Sequence, residues 1–130
     1  MAKKTWTFLD FLVDGRRNDI YDWMKNLPAA ASARLDALIS YLEVTEHWRR
    51  PEFDALHGKK YRGIAELRFK ADKIQYRPLG CHGPERRQFT LLIGCEKKGP
   101  IYRPASARET AVARRQDLSA NPTWVEVHRG

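Results

Sequence analysis

Apolar side chains follow two different periods along this chain. In its first third they return every three to four residues. Ile20, Trp23, Met24 and Leu27 share one helical face, and Leu35, Leu38, Ile39 and Leu42 repeat the spacing. Asn18 is placed to cap the first helix, with Asp19 and Asp22 in the turn where the helix dipole favours negative charge. Pro28 divides it from the second helix, which the pattern predicts from about Ala29 to Thr45. Ahead of both, the run from Trp6 to Val13, broken by Asp10, reads as a strand closed by an Asp14-Gly15 turn.

Beyond Gly63 the period becomes two. Ala65, Leu67 and Phe69 point to one side of a strand, while Glu66, Arg68 and Lys70 point to the other. Ala71-Asp72 turns the chain into a second strand, Lys73 to Arg77, which Pro78 either ends or confines to a sheet edge. Residues 80–87 read as a loop of glycine, proline and charge. Phe89 to Cys95 reads as a central strand covered on both faces. After the break at Lys97-Lys98-Gly99-Pro100, Ser106 and Glu109 have capping-box spacing and open a last helix to about Leu118, its buried face mostly alanine. The expected fold is α+β in the order β-α-α-β-β-β-α, with two N-terminal helices packed on a small, mostly antiparallel sheet. Residues 1–118 form the domain, and residues 119–130 form a C-terminal tail that is a candidate extra strand around Trp124, Val125 and Val127.

Composition adds one asymmetry. Residues 1–56 hold eight Lys/Arg against nine Asp/Glu, whereas residues 57–130 hold sixteen against seven. The whole basic excess sits in the second part, which points to a polyanionic partner such as nucleic acid. Two cysteines without CxxC or HxxxH spacing argue against a structural zinc site. The first fifteen residues mix Lys3, Lys4, Asp10 and Asp14 among the apolar ones, and no apolar run approaches the ~20 residues of a bilayer crossing. A membrane span and a secretory signal are therefore not expected, and the cytoplasm is the expected location.

Several strings, in this order, resemble the RelE/HigB superfamily of bacterial toxins, and in particular its phage-derived, HigB-like branch. Gly15 to Pro28 (GRRNDIYDWMKNLP) looks like that branch's first helix. Leu56-x-Gly58 followed by Glu66-Leu67-Arg68 is similar to its L-x-G…ELR pattern, and Tyr76-Arg77 to the YR of its next strand. Gly94 to Lys98, Pro104 and Arg108-Glu109 are similar to its HGFxKK…TP…E ending. The resemblance covers roughly residues 6–118 and rests on order and spacing. It implies a prophage-borne toxin of a type II toxin–antitoxin pair, an endoribonuclease cutting mRNA on the ribosome, without a metal or cofactor. Its partners would be mRNA, the ribosome and a cognate helix-turn-helix antitoxin.

Metal-independent RNA cleavage needs a base for the ribose 2′-hydroxyl, an acid for the leaving 5′ oxygen, and cations for the phosphate. By the resemblance Arg77 stands at the catalytic arginine. Arg68 shares its strand parity, and the two together would clamp a phosphate bidentately. Lys97 and Lys98 match a basic pair at the active cleft, and Tyr102 stands where relatives carry a catalytic tyrosine or histidine. For the proton acceptor, Glu52 matches a glutamate base of one branch, with Glu66 and His57 as the alternatives. Relatives' lysines fall here on Ile64 and Glu66. Lys59, Lys60 and Arg62 would extend the basic rim and bind RNA backbone. Two other functions fit the same residues: a ParE-like toxin that poisons gyrase by protein contact, and a catalytically degenerate prophage protein that binds RNA or a partner.

Overall fold

The computed structural model describes residues 3–130. Strand β1 (Thr7–Phe11) leads into helices α1 (Asp19–Lys25) and α2 (Ala29–Glu43). Then follow β2 (Phe53–Ala55), a 3-10 turn at Lys59–Tyr61, β3 (Ala65–Leu67), β4 (Phe69–Ala71), β5 (Ile74–Tyr76) and β6 (Leu79–His82). Next come β7 (Gln88–Ile93), β8 (Glu96–Lys98), β9 (Ile101–Arg103), helix α3 (Ala107–Ala120) and β10 (Val125–Val127).

The expected small sheet under two N-terminal helices does not form. Among the described residues ten strands and three helices build the α+β fold. A six-stranded sheet has the order β10-β1-β7-β6-β3-β2, and a four-stranded one the order β4-β5-β8-β9. The strand-rich part after α2 dominates, and helices lie on both faces of the larger sheet. The order β-α-α-β-β-β-α is corrected accordingly, and the loop expected over residues 80–87 is in part strand β6.

The extra strands have a common cause. Three extended segments each bend once, so that one end serves the larger sheet and the other end the smaller. The bends fall at Arg68, at Arg77-Pro78 and at Gly94-Cys95, and hydrogen bonds tie them together. The Leu67 amide donates to the Pro78 carbonyl at 2.9 Å, and the Arg77 amide to the Cys95 carbonyl at 2.8 Å. Proline accounts for one bend because it has no ladder donor. Glycine accounts for another: a Cβ at Gly94 would lie inside the Trp23 indole, so only glycine lets α1 approach here. The hairpin beyond the bend turns on Asp72-Lys73, both with positive φ, so the turn falls one residue later than expected.

The alternation in each strand feeds two cores. Phe8, Phe89, Leu91 and Leu67 meet α1 and α2 on one face through Ile20, Leu35 and Leu42. Phe11, Ile64, Leu79 and Leu92 meet α3 on the other, where Ala107 and Ala111 are fully buried. The alanine face lets α3 lie close against the sheet, and Arg114 fastens it by donating to the Leu92 carbonyl and to Asp19, at 2.8 and 2.7 Å. Apart from the parallel pair β1 and β7, the strand pairs are antiparallel. At the edge, β10 pairs with β1, Val127 opposite Leu9.

Candidate active site

The line of bends opens a cleft of about 250 Å³ on the α3 face, and Glu66 sits on its wall. Glu66 projects from β3 between Ala65 and Leu67, which belong to the core under α2, so alternation turns it toward α3. There α3 and β9 cover it, and it is 2% exposed. A buried carboxylate is costly unless charged or hydrogen-bonding partners surround it. Three do. The Tyr102 hydroxyl donates to Oε1 at 2.7 Å, the Arg68 Nε donates to Oε2 at 2.7 Å, and the Arg77 Nε lies 3.7 Å from Oε2.

Each partner comes from a different element. Arg68 stands at the first bend and also reaches Asp54, which faces Glu66 across the β2–β3 pair; Nη2 is 3.3 Å from Asp54 Oδ2. Two carboxylates directly opposite would repel, and the guanidinium between them removes that cost. Tyr102 lies on β9 opposite Lys97 of β8, and the Lys97 ammonium is 5.1 Å from the centre of its ring. Arg108, in the first turn of α3, lies 5.0 Å from the ring centres of both Tyr102 and Tyr61. The Tyr61 hydroxyl in turn donates to Glu109 at 2.7 Å. Glu109 therefore serves the 3-10 turn and not a capping box, and Ser106 makes no side-chain cap bond.

The electrostatics follow from these contacts. Burial, the bond to Glu66 and the charge of Glu66 all push the Tyr102 phenol above its ordinary range, so it stays protonated through neutral pH. Burial lowers the Arg77 guanidinium, with Glu66 opposing that shift. Burial would raise Asp54, but the bond and charge of Arg50 together with Arg68 bring it below the usual carboxylate range. The thiols are kept from reacting: burial raises Cys81 to about 11 and Cys95 to about 12.

Of the residues singled out in the sequence, Arg68, Lys97 and Tyr102 line this cleft. Arg77 stands behind Glu66, its guanidinium held by the Tyr76 carbonyl at 2.9 Å and by Gln75 at 2.7 Å. Lys98 is exposed and pairs with Ile101, on the opposite face of β8 from Lys97. Glu52 lines a neighbouring groove with Arg34, Tyr41 and Phe69. Lys59, Lys60 and Arg62 are exposed around Tyr61, with the Lys60 ammonium 5.3 Å from the centre of that ring. His57 lines the cleft. Asp54, Tyr61 and Arg108 also line it and were not singled out. Arg108 was hidden in what read as a helix start, and no periodicity marks Tyr61. Among the described residues no group of three or more His, Cys, Asp or Glu side chains is placed to hold a metal ion, and no helix is long and apolar enough to cross a membrane.

The family described as phage derived protein Gp49-like matches residues 22–116. The chain belongs to that family. The family lies within the RelE/HigB-like toxin superfamily, so the chain is toxin-like at that level. The matched span includes every side chain of the cleft and leaves out β1 and β10. No curated protein and no solved structure matches the chain.

Proposed function

We propose that the chain is the toxin of a type II toxin–antitoxin pair and cuts mRNA on the ribosome, in the manner of HigB-like toxins, with Glu66 and Tyr102 moving the protons. The observation that carries this reading is the Glu66 carboxylate, buried against a protonated phenol and two guanidinia on the wall of an open cationic cleft. Glu66 takes the proton of a ribose 2′-hydroxyl as the O2′–P bond forms. Tyr102 gives its proton to the 5′ oxygen as the P–O5′ bond breaks, leaving a 2′,3′-cyclic phosphate and a 5′-hydroxyl. The hydrogen bond between them returns the proton from Glu66 to Tyr102. Each group of this kind contributes ~10²–10⁴-fold. Arg68 and Arg77 position Glu66, and Lys59, Lys60 and Arg62 bind RNA backbone at the rim. A cognate antitoxin and a cytoplasmic location belong to the same reading.

The test is induction in a bacterial host with transcript ends mapped, comparing the unaltered chain with Glu66→Gln and Tyr102→Phe. New mRNA ends that require active translation and vanish in both variants are the expected result. Growth arrest without new ends overturns the nuclease reading in favour of a protein target such as gyrase. Neither arrest nor new ends overturns it in favour of a degenerate prophage protein.

A further inference from the structure

The cations around Glu66 differ in what already occupies them. The Arg68 guanidinium is spent on Glu66 and Asp54 at 2.7 and 3.3 Å. Arg77 bonds Tyr76 and Gln75, lies near Glu66, and does not line the cleft. Arg108 and Lys97 do line it, and among the described residues neither forms an ion pair nor donates a side-chain hydrogen bond. The Arg108 Nε is buried without a partner. Aromatic faces hold both side chains: Tyr61 and Tyr102 for Arg108, and Tyr102 for Lys97. Cation–π contacts fix a cation's position without neutralising it. Two positive groups are thus kept beside one ring, while the carboxylates around them are engaged elsewhere, Glu66 by Tyr102 and Arg68, and Glu109, which feels the charge of Arg108, by Tyr61. Such a pair is electrostatically incomplete until an anion joins it. The planar fork of Arg108 suits two oxygens of one phosphate, and the lysine supplies a point charge.

We infer that Arg108 and Lys97 form the phosphate seat of this cleft and bind one backbone phosphodiester of single-stranded RNA beside Tyr102, in place of the clamp expected from Arg68 and Arg77. This rests on the nuclease reading for the identity of the ligand as RNA.

The test measures binding without turnover. A fluorescein-labelled, fully 2′-O-methylated RNA 12-mer, which lacks the attacking hydroxyl, is titrated by anisotropy at several salt concentrations, with folding of each variant checked by circular dichroism. For single strands the slope of log affinity against log salt falls by about 0.7 for each phosphate that the protein ceases to neutralise. Arg108→Gln and Lys97→Gln together, which leave that phosphate without a cation, are expected to weaken binding roughly tenfold or more at low salt and to flatten the slope by about 0.7, and each alone to flatten it by part of that amount. Arg108→Lys keeps the charge and should keep the slope. Arg86→Gln should leave it unchanged, because Arg86 is an exposed arginine in the β6–β7 turn, at the far end of those strands from the bend. A slope unaltered by Arg108→Gln, or flattened equally by Arg86→Gln, overturns the seat while RNA binding itself stands. Absence of binding by the unaltered chain at low salt overturns the RNA reading and the seat with it.

Discussion

Two carboxylates are buried in the six-stranded sheet, on opposite faces. Asp10 of β1 is 1% exposed on the α1 side, and Glu66 of β3 is 2% exposed on the α3 side. Both have each oxygen engaged at short range. Asp10 takes the Asn18 amide at 2.9 Å and the His128 Nδ1 at 2.7 Å. Asn18 caps α1 and His128 follows β10, so Asp10 holds the first helix and the last strand against β1. Its surroundings are close to balanced in charge, with Glu126 and Arg129 nearby. Glu66 is ringed by Arg68, Arg77, Lys97 and Arg108, more positive charge than one carboxylate, even with Asp54, can neutralise. Burial alone is therefore no mark of function. On the proposed reading, the excess of opposite charge around a satisfied group, open to a cleft, is what separates the Glu66 site from the Asp10 clasp.

The sharpest way to break this contrast is to remove each carboxylate. Glu66→Leu leaves Arg68 and Arg77 facing a buried apolar group, and should cost about 3–5 kcal/mol in urea unfolding. Asp10→Leu leaves His128 without its partner and should cost a similar amount, with cleavage intact in the fraction that remains folded. Glu66→Gln keeps the shape and a hydrogen-bond acceptor for Tyr102, and should cost less while abolishing cleavage. Equal losses of stability and unequal losses of activity between the two leucine variants would support the division of roles. A fully active Glu66→Gln would end it.

His128→Ala tests the clasp from its other side. It removes a bond to a charged acceptor and should cost about 1.5–3 kcal/mol. Hydrogen exchange should show early opening confined to β10 and its partner β1, with RNA cleavage preserved in the fraction that remains folded. Opening that spread to β3 and β6 would mean that the two carboxylates are not separate units.

How far the sequence foretold this contrast depends on what its patterns report. The two helices after β1 were legible because their apolar spacing runs over two turns or more and Asn18 caps the first, as the bond from the Tyr21 amide confirms at 2.8 Å. The strands β2, β6, β8 and β9 were not, because each has three or four residues and the bends put glycine, proline or charge among them. Alternation correctly set Glu66 opposite Leu67. It does not say which face of a sheet is covered, nor that the alanines of α3 bring that helix close against it. Arg68 and Arg77 were identifiable as cations near one another, and Glu66 as a carboxylate in reach of them; whether they meet a phosphate or that carboxylate depends on the depth of the site.

Tyr102 offers a smaller effect with a distinct signature. Its folded value is raised, so it contributes stability that is complete below the ordinary phenol value near 10 and is lost as pH climbs through the raised one. Tyr76 is also raised, by burial first. Tyr102 and Tyr76 should therefore ionise later than an ordinary phenol when phenolate absorbance is followed in the folded protein through the range near 10. Tyr102→Phe should remove one late-titrating phenol, leave the early amplitude unchanged, and cost about 1 kcal/mol for the missing bond. Loss of early amplitude instead would place the Tyr102 hydroxyl in water.

Asp54 gives the smallest expected effect and tests how the cleft shares its charge. It is held below the ordinary carboxylate range by Arg50 and Arg68 against the opposing pull of burial. A lowered folded value means a contribution present above the ordinary range and lost as pH falls through the lowered one. Asp19, lowered by Arg17 and Arg114, and Glu109, lowered by the bond from Tyr61, act in the same direction, so the reading is the difference between paired variants. In an Asp19→Asn background, Asp54→Asn should flatten the acid limb of the stability curve below about pH 4 and change little at neutral pH. Because Arg68 serves Asp54 and Glu66 together, losing Asp54 leaves that guanidinium to Glu66 alone, and RNA binding should hold or rise slightly. A fall in RNA affinity without a change in the acid limb would make Asp54 part of the binding surface, and the surplus of positive charge would no longer be what distinguishes this cleft from the clasp at Asp10.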